Sequence, residues 1–523
     1  VVSGQLADVL PLVDIIVSSR NSETKLPKIP GVGEVALTAS VSFSMVKNGG
    51  DSVEIFAEGD VKNFEGEFGD TGAVISSDLV QIALSPKQLE LTGTGRFDQV
   101  PFTAKFQKGL GPDQADVPAL LEAELDLSSE LVSRFTGAEI EGLISGSSPA
   151  QITASLPSGA EASFSLSSDL VGLRVNAKQI NWQKPAKKPA QFRLTGRYNK
   201  RVLTDAFSLT GAGLNLEGAV DYAEQEKFKS LSISKLQVDD ILDVFGQFNP
   251  AMGIEIFGGW VNFPNLMAGM PETNAAQTAP LALKLALDEV VLGENKLTEF
   301  RADLISAPQL SGPFSAKVNG VAQVVAVLSP LNGRTALEVT SEQAGRLLTS
   351  VGALQSATGG QLKLNLTPTQ QMGETDGLLE IRNVKVQKAP VFAELLNAIS
   401  IVGLLEQLTG PGILLSEIDA KFRSTEEQII VESASAFGPS IGLSLDGYYN
   451  RKAESLDMQG VLSPIYFING IGSALTRKGD GLFGFSFNLG GKKGQPSLEV
   501  NPLSILTPGI FRDVFRRPPP KLE

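Results

Sequence analysis

The chain has 523 residues, with 44 Lys and Arg against 58 Asp and Glu, and therefore a net charge of −14. It contains no histidine and no cysteine, which excludes Ser-His-Asp triads, Cys-His pairs, Cys or His zinc sites and disulfides. At roughly 150 residues per domain, the length predicts about three units or one long continuous structure. The acidic balance does not favour nucleic-acid binding, which needs a positive surface.

Alternation of apolar and polar residues dominates the sequence from residue 35 onward. An early example is the run 100–106, in which the apolar residues Phe102, Ala104 and Phe106 alternate with Thr103 and Lys105. Later examples are the runs 281–287, 362–366 and 483–489. A period of two places each apolar set on one face of a strand. The sequence therefore predicts a mainly β protein: a long, curved, mostly antiparallel sheet that forms an elongated open groove with an apolar interior.

A short pattern of Gly, Arg or Tyr, an aromatic residue, and Asp or Asn recurs at 95–98, 196–199 and 447–450. Each copy follows one alternating strand and precedes another, and the final Asp or Asn suits a turn. The spacing between copies is irregular, so the pattern is not typical of a solenoid of fixed period. It predicts one kind of hairpin, used several times in a long sheet.

The segment Arg174 to Arg201 has nine basic residues and no acidic one, with Trp182, Phe192 and Tyr198 among them. Interleaved cations and aromatic rings are typical of sites for RNA or another anionic surface. The alternative is the solvated face of two strands and their loop, which the acidity of the whole chain favours. We expect that alternative.

The sequence predicts few helices, and they lie near the C-terminal end. An earlier candidate, in the middle of the chain, is Val238 to Phe248, opened by Asp239 and Asp240. Another starts at Thr340, where Thr-x-x-Gln343 matches a capping box. The clearest runs from Pro390 to Leu408 and is apolar nearly all round, as expected of a helix that is buried or in contact with lipid. The polar, proline-bounded segment 264–280 is the predicted linker.

Two motifs with catalytic associations have simpler interpretations. Residues 438–442 match the G-x-S-x-G nucleophile elbow, but a strand follows and the chain has no histidine partner, so we expect a turn. Glu122, Glu124 and Asp126 alternate, which predicts the solvated face of a strand instead of an acid/base pair. We expect no catalytic residue, no metal site and no cofactor.

No apolar segment approaches the roughly twenty residues that a membrane-spanning helix needs. The chain begins at Val1 without an initiator methionine or a signal peptide, so we expect that a targeting segment lies upstream. The C-terminal stretch 470–523 has eight basic and four acidic residues, a net charge of +4. That end is the part of the chain expected to contact an anionic surface.

Several runs resemble the AsmA-like family, specifically the C-terminal region of its YhdP/TamB-type members. The resemblance covers roughly 115–516 and is most specific in the last 200 residues. The runs similar to that C-terminal region are VQKAPVFAELLNAISIVGLLEQLTGPGILL (386–415), FGPSIGLSLDGYYN (437–450), GVLSPIYFINGIGS (460–473), GLFGFSFNLGG (481–491) and VNPLSILTPGIFRDVF (500–515). The upstream run INWQKPAKKPAQFRLTG (180–196) resembles the large central region of YhdP-like proteins.

The resemblance implies a bridge-like lipid-transfer protein of the Gram-negative envelope. Members of this type are tethered to the inner membrane by an N-terminal segment, which this chain lacks, and their groove crosses the periplasm. The implied cargo is phospholipid moving between the inner and outer membranes, which makes both membranes partners. An outer-membrane or periplasmic protein is a further partner considered at the C-terminal end. We expect no nucleic-acid partner.

The two halves are assigned as a YhdP-like central β-groove region (1–275) and an AsmA-like C-terminal β-groove region with capping helices (276–523). Phe392, Leu395, Leu396 and Ile399 are assigned to a helix at the groove end or in a membrane. The alternative function is a non-enzymatic assembly or scaffold factor for outer-membrane proteins. An enzyme acting on envelope glycans is disfavoured, because no carboxylate pair converges.

The candidate groove-lining residues are Phe102, Phe106, Phe207, Leu209, Leu214, Leu216, Leu281, Leu283, Leu285, Leu287, Leu362, Leu364, Leu366, Leu443, Leu445, Phe483, Phe485 and Phe487.

Overall fold

The computed structural model is mostly β: of the residues that it describes, 68% are in strands and 11% in helices. The sheet is mostly antiparallel and is not closed, so the predicted fold class is confirmed. The structure describes residues 2–9, 11, 31–43, 53–68, 73–110, 114, 116–136, 142–157, 160–199, 201–223, 227–268, 280–399, 402–464, 478, 480, 483–492, 495–507 and 516–522.

The chain divides into two units, residues 1–250 with 265–271, and residues 251–264 with 272–523. The predicted boundary at 275/276 falls outside the described residues, and the assignment of each half to a family region stays a prediction. The strands of the first unit are β1 (Val2–Gln5), β2 (Gly31–Phe43), β3 (Val53–Phe68), β4 (Ala73–Leu84), β5 (Gln88–Phe97), β6 (Val100–Gly109), β7 (Ala119–Ser128), β8 (Ile144–Leu156), β9 (Ala162–Ser168), β10 (Leu173–Ala177), β11 (Trp182–Lys184), β12 (Gln191–Asn199), β13 (Arg201–Gly211), β14 (Leu214–Tyr222), β15 (Phe228–Val238) and β16 (Leu242–Asn249).

The second unit contains the remaining strands. They are β17 (Gly253–Asn262), β18 (Ala282–Leu292), β19 (Asn295–Ile305), β20 (Gly312–Val318), β21 (Ala322–Leu331), β22 (Arg334–Ser341), β23 (Ser356–Pro368), β24 (Thr375–Gln387), β25 (Ile413–Ser424), β26 (Gln428–Phe437), β27 (Ile441–Asn450), β28 (Ser455–Pro464), β29 (Phe485–Lys492) and β30 (Gln495–Asn501). Among the described residues, the structure gives bounds for the α-helices α1 (Ser129–Thr136), α2 (Phe263–Ala268), α3 (Ala344–Ser350), α4 (Pro390–Ala398) and α5 (Val402–Thr409), and for the 3₁₀ segments Lys178–Ile180 and Pro502–Leu506.

Strand order in each unit follows the sequence closely. In the first unit β1 to β9 pair in succession, β9 pairs with β12, and β12 to β16 continue the series, all antiparallel. The short strands β10 and β11 form a ribbon that branches from the start of β8. In the second unit β17 and β18 are parallel, and β18 to β30 form consecutive antiparallel pairs.

The predicted helix from Val238 to Phe248 is wrong, because this segment is the hairpin between β15 and β16. Leu242, Val244 and Gly246 are buried in alternation, which is the period of a strand. Asp239, expected to open the helix, instead has φ +29 in the connecting turn. The acidic pair that resembled a helix start therefore serves the turn, a role that Asp also fills well.

The other two predicted helices need adjusted boundaries. Residues 390–408 form two helices, α4 and α5, instead of one. The capping box at Thr340 does not form, because Thr340 still belongs to β22 and its hydroxyl donates to the Val325 carbonyl at 3.2 Å. The helix begins later, at Ala344.

Candidate functional site

The first unit has one continuous apolar row that crosses its sheet. Strand register places thirteen residues directly opposite one another across β2 to β9 and β12 to β16, and each of them is aliphatic, aromatic or glycine. At about 4.8 Å between strands, twelve spacings extend for roughly 58 Å. The row is Val35, Val61, Val80, Gly93, Ala104, Ala123, Ile152, Leu166, Leu194, Phe207, Gly218, Ile233 and Gly246.

The second unit has an equivalent row. It crosses all thirteen strands from β18 to β30, without a polar residue, over a similar distance of roughly 58 Å. The row is Leu285, Ala302, Phe314, Ala326, Val339, Leu364, Leu379, Ala420, Ala434, Leu445, Gly460, Phe487 and Val500.

The predicted groove-lining residues of the first unit lie on its apolar face. Phe207 belongs to the row itself, and Leu209 is paired with Leu216, two residues further along the same face. Leu214 is paired with Val238. Phe102 and Phe106 lie beside the row on β6, where they are paired with Leu125 and Leu121.

The predicted residues of the second unit are placed in the same way. Leu283, Leu285 and Leu287 follow one face of β18, and Leu281 immediately precedes that strand. The residues further along the face are Leu362, Leu364 and Leu366 on β23, Leu443 and Leu445 on β27, and Phe485 and Phe487 on β29. Phe483 precedes β29 and is 53% exposed.

The side chains of this face are mostly half-buried in the first unit, including Ile152, Leu166, Leu194 and Phe207. On the same strands the intervening residues, such as Glu122 and Glu124 of β7, are exposed. The polar alternation 122–126 is therefore a solvated face, as expected. A second packed layer would bury the apolar side chains completely, so their partial exposure indicates an open apolar surface.

Three helices cover one side of the apolar face in the second unit. In α4, Leu395 is 3% and Leu396 0% exposed, and both belong to one core with Val384 of β24 and Ile413 of β25. Phe392 and Ile399 pack against the same core. The predicted groove-end helix thus rests on the sheet.

Burial on this face falls with distance from the helices. On β23, Leu362 is buried whereas Leu364 and Leu366 are half-buried, and on β27 Ile441 is buried whereas Leu445 is half-buried. The connection that contains α4 and α5 joins the end of β24 to the start of β25. The helices therefore cover one margin of the face, and the margin nearer the opposite hairpins stays partly accessible.

Cross-strand ion pairs occupy the opposite, solvated face. Lys105 pairs with Glu90 at 3.3 Å, and Lys363 with Glu338 at 2.9 Å. Burial raises the pKa of Asp419, but hydrogen bonds from Lys478 and Arg382 outweigh it and lower the pKa to about 2. The charged groups of these pairs therefore lie on the face opposite the apolar rows.

The solvated-strand interpretation of residues 174–201 is wrong for two residues. Trp182 is 5% exposed, and its indole N–H donates to the Ala212 carbonyl at 2.8 Å. Lys184 is 0% exposed and donates to the carbonyls of Leu170 at 2.6 Å and Leu173 at 2.7 Å. Burial lowers the pKa of Lys184. These residues anchor β11, so neither ring nor cation is presented to a nucleic acid.

The segment 438–442 is a tight turn between β26 and β27, as expected. The Gly438 N–H donates to the Ile441 carbonyl at 2.8 Å. Within the described ranges, no group of three acidic side chains is arranged to hold a metal ion. Among those same residues, none of the helices is long and apolar enough to cross a membrane.

Comparisons with protein-family models, curated proteins and solved structures give no match.

Proposed function

We propose that the protein conducts phospholipids between the inner and outer membranes, with their acyl chains held on the apolar faces of its sheets. The observation that carries this proposal is the pair of unbroken apolar rows, thirteen residues in each unit. An acyl chain gains about 0.8 kcal/mol for each methylene removed from water. Each row is a continuous series of apolar residues and glycines that supplies that gain along its length, so a chain can move along it without passing a polar side chain.

The partial exposure of the apolar face supports the same proposal. A phospholipid needs water for its head group beside an apolar surface for its chains. The partly accessible margin of the second unit's face, at Leu364 and Leu445, provides both. The resemblance to the AsmA-like family adds the proposed setting: the periplasm of a Gram-negative bacterium, with an inner-membrane tether supplied by a segment outside this chain.

The first test is to extract the lipids from the purified protein and identify bound phospholipid by mass spectrometry. The second is to measure the transfer of labelled phosphatidylethanolamine between liposomes by the protein. Leu285→Glu and Phe485→Glu place a carboxylate on the apolar face, and we expect both to abolish transfer. The matched control is Ala286→Glu, because Ala286 lies on the opposite face of β18, across from Arg301.

Absence of bound lipid in the wild-type protein, together with no transfer, would exclude the proposal. Equal transfer by Leu285→Glu and Ala286→Glu would show that the apolar row is not the path.

A scaffold role in outer-membrane protein assembly is the second candidate, and one observation favours it. Within the described residues, β30 pairs only with β29, so its outer edge has backbone groups that could accept another strand. Capture of a barrel protein by the purified chain, with no lipid movement between liposomes, would favour this role. Loss of that capture on Ser497→Pro, which alters the β30 edge, would assign the contact to this strand.

A further inference from the structure

Five glycines on the apolar faces each lie directly across from a phenylalanine of the neighbouring strand. Three of these pairs are in the first unit and two are in the second. The pairs are Gly95 with Phe102, Gly196 with Phe164, Gly218 with Phe207, Gly377 with Phe422, and Gly460 with Phe487.

In each pair the aromatic ring occupies the space where the partner's side chain would stand. A Cβ atom on Gly218 would lie 2.5 Å from Cζ of Phe207, and one on Gly196 would lie 2.7 Å from Cζ of Phe164. Non-bonded carbon atoms normally approach to about 3.5–4.0 Å. The tip of each ring therefore lies over the backbone of the adjacent strand.

This placement differs from the usual direction of side chains in a sheet, which stand roughly perpendicular to it. Phe106 lies on the same face but is paired with Leu91 and Leu121, whose Cβ atoms deny it such a position. A ring that reaches across a glycine projects less from the sheet. Four of the five rings, all except that of Phe487, are half-buried, so they are accessible from the open side.

We propose that these glycines set the depth of the lipid path by holding the five rings down against the sheet. This inference rests on the proposed function. A methyl group at the glycine would lift the ring into the space above the row. The glycines are then specificity determinants: they keep the path deep enough for an acyl chain, and the rings supply its apolar floor.

A purely structural role makes a different prediction. Aromatic rings that cover strand glycines also stabilise sheets, so Gly218→Ala would then lower stability while the folded protein retained lipid normally. The two roles separate when lipid retention is measured per folded molecule. The rescue variant Gly377→Ala with Phe422→Leu separates them further, because the three atoms nearest to a Cβ on Gly377 all belong to the Phe422 ring. The same two strands already place Leu379 opposite Ala420.

The experiment measures binding of radiolabelled dioleoyl phosphatidylethanolamine to the full chain, with folding checked by circular dichroism. We expect Gly218→Ala and Gly377→Ala each to weaken retention about tenfold, equivalent to lost contact with roughly two methylenes. The double variant Gly377→Ala with Phe422→Leu is expected to restore retention. Gly403→Ala is the control, since a Cβ there meets nothing within 4 Å.

Each outcome is informative. If the wild-type protein retains lipid and the alanine variants retain as much, the inference is overturned and the proposed function stands. If the wild-type protein retains none, the proposed function itself fails. Should Gly377→Ala not fold, the double variant Gly377→Ala with Phe422→Leu decides: folding with wild-type retention supports the inference, and folding with lost retention refutes it.

Discussion

Lys184 provides a sharp test of how the first unit is held together. Its ammonium group is fully buried and donates to the carbonyls of Leu170, Leu173 and Pro185 at 2.6, 2.7 and 3.3 Å. Lys184→Met keeps the length and apolar stem of the side chain but removes all three donors. The three carbonyl groups then lose their charged hydrogen-bond donor, and the buried methionine side chain donates no hydrogen bond in its place.

The expected cost follows from the two short bonds. Hydrogen bonds to a charged group contribute about 1.5–3 kcal/mol each, and part of their loss is offset because Met does not have to bury a charge. We expect Lys184→Met to lower the free energy of unfolding of this region by about 2–4 kcal/mol. Lys187→Met, three residues later on an exposed side chain, is expected to change it by less than about 0.5 kcal/mol.

The assay uses the two tryptophans of the chain. In a Trp260→Phe background, Trp182 is the single tryptophan and lies two residues from the substitution. Urea unfolding followed by its fluorescence therefore reports on the β11 region. Equal urea midpoints for Lys184→Met and Lys187→Met would refute the reasoning, because the buried carbonyl contacts would then contribute nothing measurable.

Two further predictions concern the second unit. Leu396 of α4 is 0% exposed, so Leu396→Ala should cost about 2–5 kcal/mol and speed hydrogen exchange in α4. Unchanged exchange would contradict this packing. The lowered pKa of Asp419, about 2, means that its stabilisation is present above pH 3.8 and is lost as the pH falls toward 2. Asp419→Asn should therefore cost about 1–2 kcal/mol at pH 7 and flatten acid unfolding monitored by circular dichroism between pH 5 and 2. An unchanged acid profile would contradict the assignment.

The alternating pattern was sufficient to predict the strands and their apolar faces. Leu281 to Leu287 and Leu362 to Leu366 follow period two without interruption, and a strand has no other way to bury one side. The helix predicted at Val238 to Phe248 failed for a related reason. Asp239 and Asp240 suit a helix start and a turn equally well, and the alternation at Leu242 and Val244 was the better signal.

The burial of Lys184 could have been found from the sequence in part. Trp182 and Lys184 are two residues apart, so they share a face of any strand, and a tryptophan usually marks the buried one. The carbonyls that receive the ammonium group come from Leu170 and Leu173. Their approach depends on the ribbon formed by β10 and β11, and no local pattern specifies that contact.

By itself the sequence determined the fold class, the lack of histidine and cysteine chemistry, and which side chains of each strand are apolar. Tertiary structure alone decided the register that aligns them into two unbroken rows. It also decided the pairing of β9 with β12 past an intervening ribbon, and the placement of α4 over Val384 and Ile413. The physical reason is that alternation acts within a strand, whereas a path across strands depends on which residues face each other between them. The pairing of Gly218 with Phe207 depends on the register between β13 and β14, which neither strand specifies by itself.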